Sequence, residues 1–468
     1  MIRKELFLAI TIAIGGLFSW ACSNNNGSDP VIEFSDEAND SILKLMKANY
    51  CWNLPTETPD IMMNSDAFFK KLLNSKDTVS WIKLIADIPT ATTAYDIGFE
   101  YAANRYDDGK TYYAILYVKK GTKAEKVEIE RGYLITHVSP TGLAKDTIAV
   151  TKDNYNTLLP NCITSGKQFS ILYRRPGSGE AASTFNPEDV AVSPSKVQDP
   201  LYYSSADIFP ASGKKIGYIV YNHFLSAGTY LSPLISKLNE FKNQGVKTLI
   251  LDLRYNATGG YDYLSALGSS LVKTQDQGAA FAYLAREDAS KDIAYKFSTD
   301  KTIQNLGSQL ESIYVITGQS TAGPSETLIH ALRAYWGDKI VITGEDMKGQ
   351  NLATSNQVAI KLSDGSSKWA VKIALGHFAD KNKNYSYRTK VNNELKEINT
   401  ESGTKTQLKP LGDIEEYVLK GTLKEITGIE TKTSTRSAKV SNWPSPVEYL
   451  GSSIKSEPGT ISIDNLRP

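Results

Sequence analysis

Residues 247–260 read KTLILDLRYNATGG. Between Lys247 and Asp252 the run is almost wholly apolar and rich in branched side chains, the pattern of a strand covered on both faces. The polar cluster and the Gly259-Gly260 pair that follow mark a strand end opening into a helical stretch that runs to about Val272. Working outward, the same alternation recurs. Upstream, KKIGYIVY (214–221) reads as a strand, and Leu231, Leu234, Ile235, Leu238 and Phe241 recur at helical spacing. Downstream, SIYVITG (312–318) is a strand, residues 325–336 a helix and KIVITG (339–344) a strand. QVAIKLS and KWAVKIALGHF continue the sheet, and residues 413–427 form a closing helix ended by Gly428. Alternating strands and helices over this length predict an α/β domain spanning 213–430.

The flanks differ in character. Residues 36–89 carry helical patterning, with Ile42, Leu43, Leu45 and Met46 and then Phe68, Phe69, Leu72 and Leu73 on apolar faces, and predict a small helical N-terminal unit. Residues 90–185 hold strand-like runs (YDIGFEYAAN, TYYAILYVKK, YLITHV, FSILYRR) separated by turn signals such as DDGK. Gly98, within Ile97-Gly98-Phe99, would let a ligand approach the backbone. This β-rich unit resembles a PDZ module. The resemblance implies that Ile97, Gly98 and Phe99 hold a peptide's terminal carboxylate while the peptide adds a strand. Residues 186–212 read as a linker by their proline and polar content. Residues 431–468, rich in Ser, Thr and Lys, read as an extended tail.

With 468 residues, 41% hydrophobic and 22% charged, the composition is that of ordinary globular protein. A formal net charge of +1 and the absence of a basic stripe argue against a nucleic-acid partner. The first 22 residues stand apart: Arg3 and Lys4 precede the apolar run LFLAITIAIGGLFSWA, an export signal rather than a spanning helix. Ser19 and Ala21 before Cys22, and SNNNGSDP after it, resemble a bacterial lipoprotein signal, with a tether over 23–35. That implies acylation at Cys22, a membrane anchor and a place in the cell envelope. A plain cleaved secretory signal is the alternative. Cys51 and Cys162 read as two free, buried thiols. The four histidines are dispersed, with no zinc-binding spacing, so neither a metal nor a cofactor is expected.

The pieces together resemble the tail-specific proteases, the C-terminal-processing serine peptidases, in their bacterial lipoprotein form. The resemblance is carried, in order, by the PDZ-like unit, KKIGYIVYNHF, LILDLRYNATGG, STAGPSE, VITGE and LKPLGDIEEYVLKGTLKEITG. It implies a crotonase-like repeated ββα core and a Ser-Lys dyad. Such a dyad needs a serine hydroxyl and a lysine whose amine burial has brought toward neutrality. The family pattern places its nucleophile two residues after the threonine of a Thr-Ala pair, which here is Gly323. It places the lysine after the next strand, in the run GEDMKGQ, which here is Gln350. Glycine has no hydroxyl, and an amide is no base at neutral pH. The loop RYNATGG is one residue longer than the family's, and Gly259, Gly260 and Pro324 are the candidates for lining an oxyanion site.

Three readings follow. The first is a peptidase homologue without its dyad that still binds peptides or protein C-termini. The second is an active serine peptidase with a relocated nucleophile, Ser320 or Ser325, served by Lys348. The third is a scaffold in an envelope complex. Ser325, just inside the helix that Pro324 begins, also reads as a helix-start hydrogen-bonder, and Glu326 as an acid favouring the helix N-terminus. Asp252, Arg254 and Asn256 read as groups fixing the strand end. His330 and His377 read as structural, with no acidic partner evident.

Overall fold

The computed structural model describes residues 36–87, 94–192, 200–224, 231–261, 264–300, 303–387, 390–398, 408–430, 443–456 and 458–461. The expected signal, tether and acylated Cys22 lie outside the described residues.

The stretch 247–260 sits at the centre of the α/β domain. Thr248–Asp252 is buried along its whole length and pairs in parallel with Ile216–Tyr221 on one side and Ser312–Thr317 on the other. Ile340–Gly344 continues the parallel set, Asn393–Glu394 adds a short parallel edge, and Leu201–Ser205 adds an antiparallel one. Helices Leu231–Asn243, Leu264–Leu271 and Pro324–Trp336 send Leu234, Leu238, Leu267, Leu328 and Leu332 into the core on one face. Tyr417–Thr427 covers the other face through Val418, Leu419 and Leu423, and ends at Gly428, whose φ of 71° suits glycine. The fold is therefore α/β with a β-rich domain.

That second domain is an antiparallel sheet of Phe99–Tyr106, Thr111–Val118, Leu134–Ser139, Phe169–Arg175 and Gly179–Phe185, crossed by helix Leu158–Thr164. Ile97, Phe99, Tyr113, Ile135, Leu159, Phe169 and Phe185 form its own core. Cys51 and Cys162 are both buried free thiols.

Four readings are corrected by the structure. The N-terminal helices Asp36–Asn49 and Ser65–Leu72 share one core with the α/β domain, and Trp81–Leu84 pairs with Trp369–Lys372. The run KWAVKIALGHF is two strands in two sheets, Trp369–Lys372 and Ala374–Ala379, rather than a continuation of the central sheet. Residues 186–212, read as a linker, contribute Ala191–Val192 to a pair with Ala94–Tyr95 and Leu201–Ser205 to the central sheet. The tail is not simply extended: Pro446–Ser452 joins the β-rich sheet, and Thr460–Ile461 joins Leu352–Ser355. Short edge strands take their stability from a partner's backbone, so their own composition carries little signal.

Candidate functional site

The site forms where the central sheet delivers two chain crossings to one place. Beyond Thr248–Asp252 the chain turns through Arg254 to Gly260, and beyond Ser312–Thr317 it turns through Gly318 to Gly323 into the helix. The turns are laced together. The Asn256 carbonyl accepts the Ala322 N–H at 3.2 Å and the Ser325 hydroxyl at 3.1 Å. Thr321 donates its hydroxyl to the Leu253 carbonyl and accepts the Gly318 N–H, both at 2.9 Å.

Gly323 caps helix Pro324–Trp336 with φ 57° and ψ −115°, a conformation strained for any residue with a Cβ. Pro324 follows at the first helical position, where its missing N–H is no loss. Gln350 lies after Ile340–Gly344, and its N–H donates to Glu326 Oε2 at 2.7 Å while the Gly349 N–H donates to Oε1 at 2.6 Å. The same carboxylate faces the N–H of Gly323. Glu326, 1% exposed, therefore ties Gly323, Gly349 and Gln350 to one side chain. Burial raises its pKa, against the three backbone N–H groups that lower it. The sequence pointed to Glu326 only as a helix-start acid; its reach to residues 349 and 350 had no local signal. The Gln350 Oε1 is buried with no hydrogen-bond partner.

The remaining candidates fall out as follows. Ser325 is fully buried and gives its hydroxyl to Asn256, rather than to its own helix start. Ser320 is partly buried, and Lys348 is exposed. A lysine serves as base only where burial lowers its pKa, so an exposed Lys348 does not assemble a relocated dyad. Among the oxyanion-loop candidates, the Gly260 N–H donates to the Phe224 carbonyl at 2.8 Å, and Pro324 has no N–H. Gly259, at φ 145°, passes so close to Phe224 that a Cβ there would lie 2.0 Å from its carbonyl oxygen. In the β-rich domain, Ile97 and Phe99 are core residues, and the Gly98 N–H is taken by Asp96 Oδ1 at 2.7 Å. The loop thus carries its own carboxylate where a ligand's was expected. His330 is corrected as well: its Nε2 lies 3.7 Å from Asp380 Oδ2 and meets the Asn384 carbonyl at 3.0 Å.

Beneath the site lies a buried charge cluster. Arg254 donates to Asp252 at 2.7 Å, to Glu416 at 2.9 Å and to Glu397 at 3.0 Å. Arg131, from the β-rich domain, joins Glu397 and Tyr255 in the same cluster. Between the two domains a cavity of about 750 Å³ is lined by Tyr117, Lys119, Asn222, His223, Tyr255 and Thr258. The Asn222 amide is 8% exposed, and neither of its polar atoms has a partner.

Among the described residues no group of three or more His, Cys, Asp or Glu gathers as a metal site, and no helix is long and apolar enough to cross a membrane.

Residues 215–396 match the model of peptidase family S41. The chain carries an S41 peptidase-family domain. The family is the one that the motifs at 214–224, 249–260 and 320–326 pointed to. No curated protein matches the chain. Among solved structures, a protein described as an S41 protease from Bacteroides fragilis NCTC 9343 aligns at 24% identity and a TM-score of 0.61, over 83% of this chain and 97% of that one. At that identity the likeness is one of fold. The photosystem II D1 C-terminal processing protease aligns at 18% identity and a TM-score of 0.46, over 85% and 98%. A peptidase from Parabacteroides merdae ATCC 43184 aligns at 15% and 0.33, over 51% and 68%.

Glu345, just after the strand Ile340–Gly344, gives a testable pH dependence. Burial pushes its carboxyl up to about 7, with the Gln319 amide, donating at 2.8 Å, working the other way. A carboxyl raised on folding adds stability that is complete below its ordinary range and is lost as pH rises through the folded value. The stability difference between wild type and Glu345→Gln is therefore expected to shift against wild type from about pH 5 to pH 8, by up to ~1.4 kcal/mol per pH unit. Paired urea melts across that range read it, and a difference that stays flat would contradict it.

Proposed function

We propose that this S41-domain protein binds extended peptides or protein C-termini without cleaving them, from a lipid-anchored position in the bacterial cell envelope. The observation that carries the reading is Gly323: the helix N-terminus at which the family pattern has its serine carries no hydroxyl, and Gln350 falls in the sequence where that pattern has its lysine. The N–H groups that could hold an oxyanion support it too. That of Gly260 is spent on Phe224, and that of Gly323 faces Glu326. A cavity of about 750 Å³ between the domains is lined by the unpartnered Asn222 amide, which can serve a peptide's backbone groups. The β-rich domain takes an added strand along Phe99–Tyr106, as a PDZ-like module does. The anchor rests on the sequence around Cys22.

The test is incubation of the purified full chain with a library of unstructured peptides, followed by mass spectrometry and calorimetry. Binding with intact peptides is expected. Turnover abolished by Ser320→Ala or Ser325→Ala would overturn the reading in favour of a relocated nucleophile.

A further inference from the structure

The chain's last described residues add a strand to each of two sheets. Pro446–Ser452 lies antiparallel on Phe99–Tyr106, with Glu448 opposite Arg105, Tyr449 opposite Asn104 and Ser452 opposite Ala102. The other edge of that strand is taken by Thr111–Val118, so the tail occupies the place where an external peptide would extend this sheet. The Tyr101 N–H donates to Ser453 Oγ, and the Ser453 N–H donates to the Tyr101 carbonyl, both at 2.9 Å. Leu450 packs on the domain core, while Val447 and Tyr449 face water, 43% and 41% exposed. Beside Leu450 a groove of about 490 Å³, bounded by Phe99, Tyr155, Pro160 and Ile163, is left partly open.

The tail then enters the peptidase cleft. The Thr460 N–H donates to the Gly259 carbonyl at 3.0 Å, and the Thr354 N–H donates to the Gly459 carbonyl at 2.9 Å. The Asn356 N–H donates to the Ile461 carbonyl at 3.1 Å, so the segment runs between Leu352–Ser355 and the candidate oxyanion loop. Ser456 donates its hydroxyl to the Ser320 carbonyl at 3.3 Å. Gly459 is pressed against the site: a Cβ there would lie 2.4 Å from the Tyr261 ring and 3.0 Å from Pro324 Cδ, next to Gly323. Ile461 is 2% exposed.

We propose that residues 446–461 are a tethered peptide ligand, which external peptides must displace to occupy the β-rich edge and the cleft beside Gly323. This rests on the reading of the cleft as a peptide-binding site and names its ligand class. That class is an extended segment with glycine against Tyr261 and Pro324 and an apolar residue two positions on. The contacts are mostly backbone to backbone, which any extended peptide can reproduce. The cleft strand is two residues long, placing it at the low-stability end of the fold. Tethering gives the tail a millimolar effective concentration, enough to exclude a weak competitor without locking the site.

The test uses the full-length protein, its Leu450→Asp and Gly459→Val variants, and a fluorescent synthetic peptide with the sequence of residues 443–463. The variants are expected to bind the peptide at least tenfold tighter than wild type, and a peptide with valine in place of Gly459 at least tenfold more weakly. Equal affinity for wild type and both variants would overturn the proposal. If a variant loses its cooperative melting transition, wild type decides. Saturating peptide is expected to raise hydrogen exchange at 446–461 at least tenfold, and tail amides that do not respond would overturn it. Mass spectrometry of the same samples separates the two readings. Cleaved peptide would overturn the loss of turnover, whereas intact peptide bound equally by all three proteins would overturn the tethered ligand alone.

Discussion

Replacing Arg254 by alanine is expected to lower stability by about 3–5 kcal/mol. Arg254 is 2% exposed and is the cation between Asp252, Glu397 and Glu416, themselves 0%, 8% and 1% exposed. Removing it leaves three carboxylates with Arg131, which reaches Glu397 and Glu416. Truncating one partner of a buried ion pair is costly because the other is left desolvated and uncompensated. Urea and thermal midpoints check it, and a change below about 1 kcal/mol would contradict it. Arg254→Met combined with Glu416→Gln is expected to cost less than the sum of the two singles, since the groups share one network.

The same cluster contributes to the acid sensitivity of the fold. Against the burial that would raise it, Arg131 and Arg254 hold the Glu397 carboxyl below its ordinary range. A carboxyl lowered on folding contributes stability that is present above its ordinary range and lost as pH falls through the folded value. Because Arg131 comes from the β-rich domain, and Glu416 caps helix Tyr417–Thr427 by accepting the Leu419 N–H at 2.9 Å, the loss reaches the interface between domains.

How much of this could be read in the sequence follows from the range of each interaction. The strand Thr248–Asp252 and helix Leu231–Asn243 announce themselves because their own side chains are buried in a regular period. The hairpin of Ala280–Ala285 and Ile293–Lys296 was not legible: its strands are short and alternate weakly. Pro446–Ser452 falls in a tail whose Ser, Thr and Lys content reads as extended chain, and its order comes from the backbone of Phe99–Tyr106. At the site, Gly323 and Gln350 were legible through the family pattern alone. That Glu326 reaches Gln350, that Glu397 and Glu416 reach Arg254, and that His330 meets Asp380 are contacts across 24 or more residues, with no local period to betray them.

Restoring the dyad is expected to separate ancestry from activity. The wild-type chain is expected to give no label with a fluorophosphonate probe and turnover on the order of 10⁶ below that of an intact serine peptidase. Gly323→Ser alone is expected to stay at background. A serine held at φ 57° and ψ −115° carries about 1–3 kcal/mol of backbone strain, and the position of the family's lysine still holds an amide rather than a base. Gln350→Lys alone adds an amine without a nucleophile. Its backbone is fixed by Glu326, and its side chain would start where the Gln350 Oε1 is now buried without a partner. Burial there lowers a lysine's pKa, whereas the Glu326 carboxylate raises it, so the balance between them sets whether the amine is neutral near pH 7. Glu326→Gln in the lysine background is therefore expected to move the amine's titration downward. The double variant, Gly323→Ser with Gln350→Lys, is expected to label and to exceed either single variant by about 10²–10⁴ in rate, the range of one placed general base. Labelling of wild type that Ser325→Ala abolishes would contradict this expectation, because it would require the Ser325 hydroxyl to leave the Asn256 carbonyl that now accepts it.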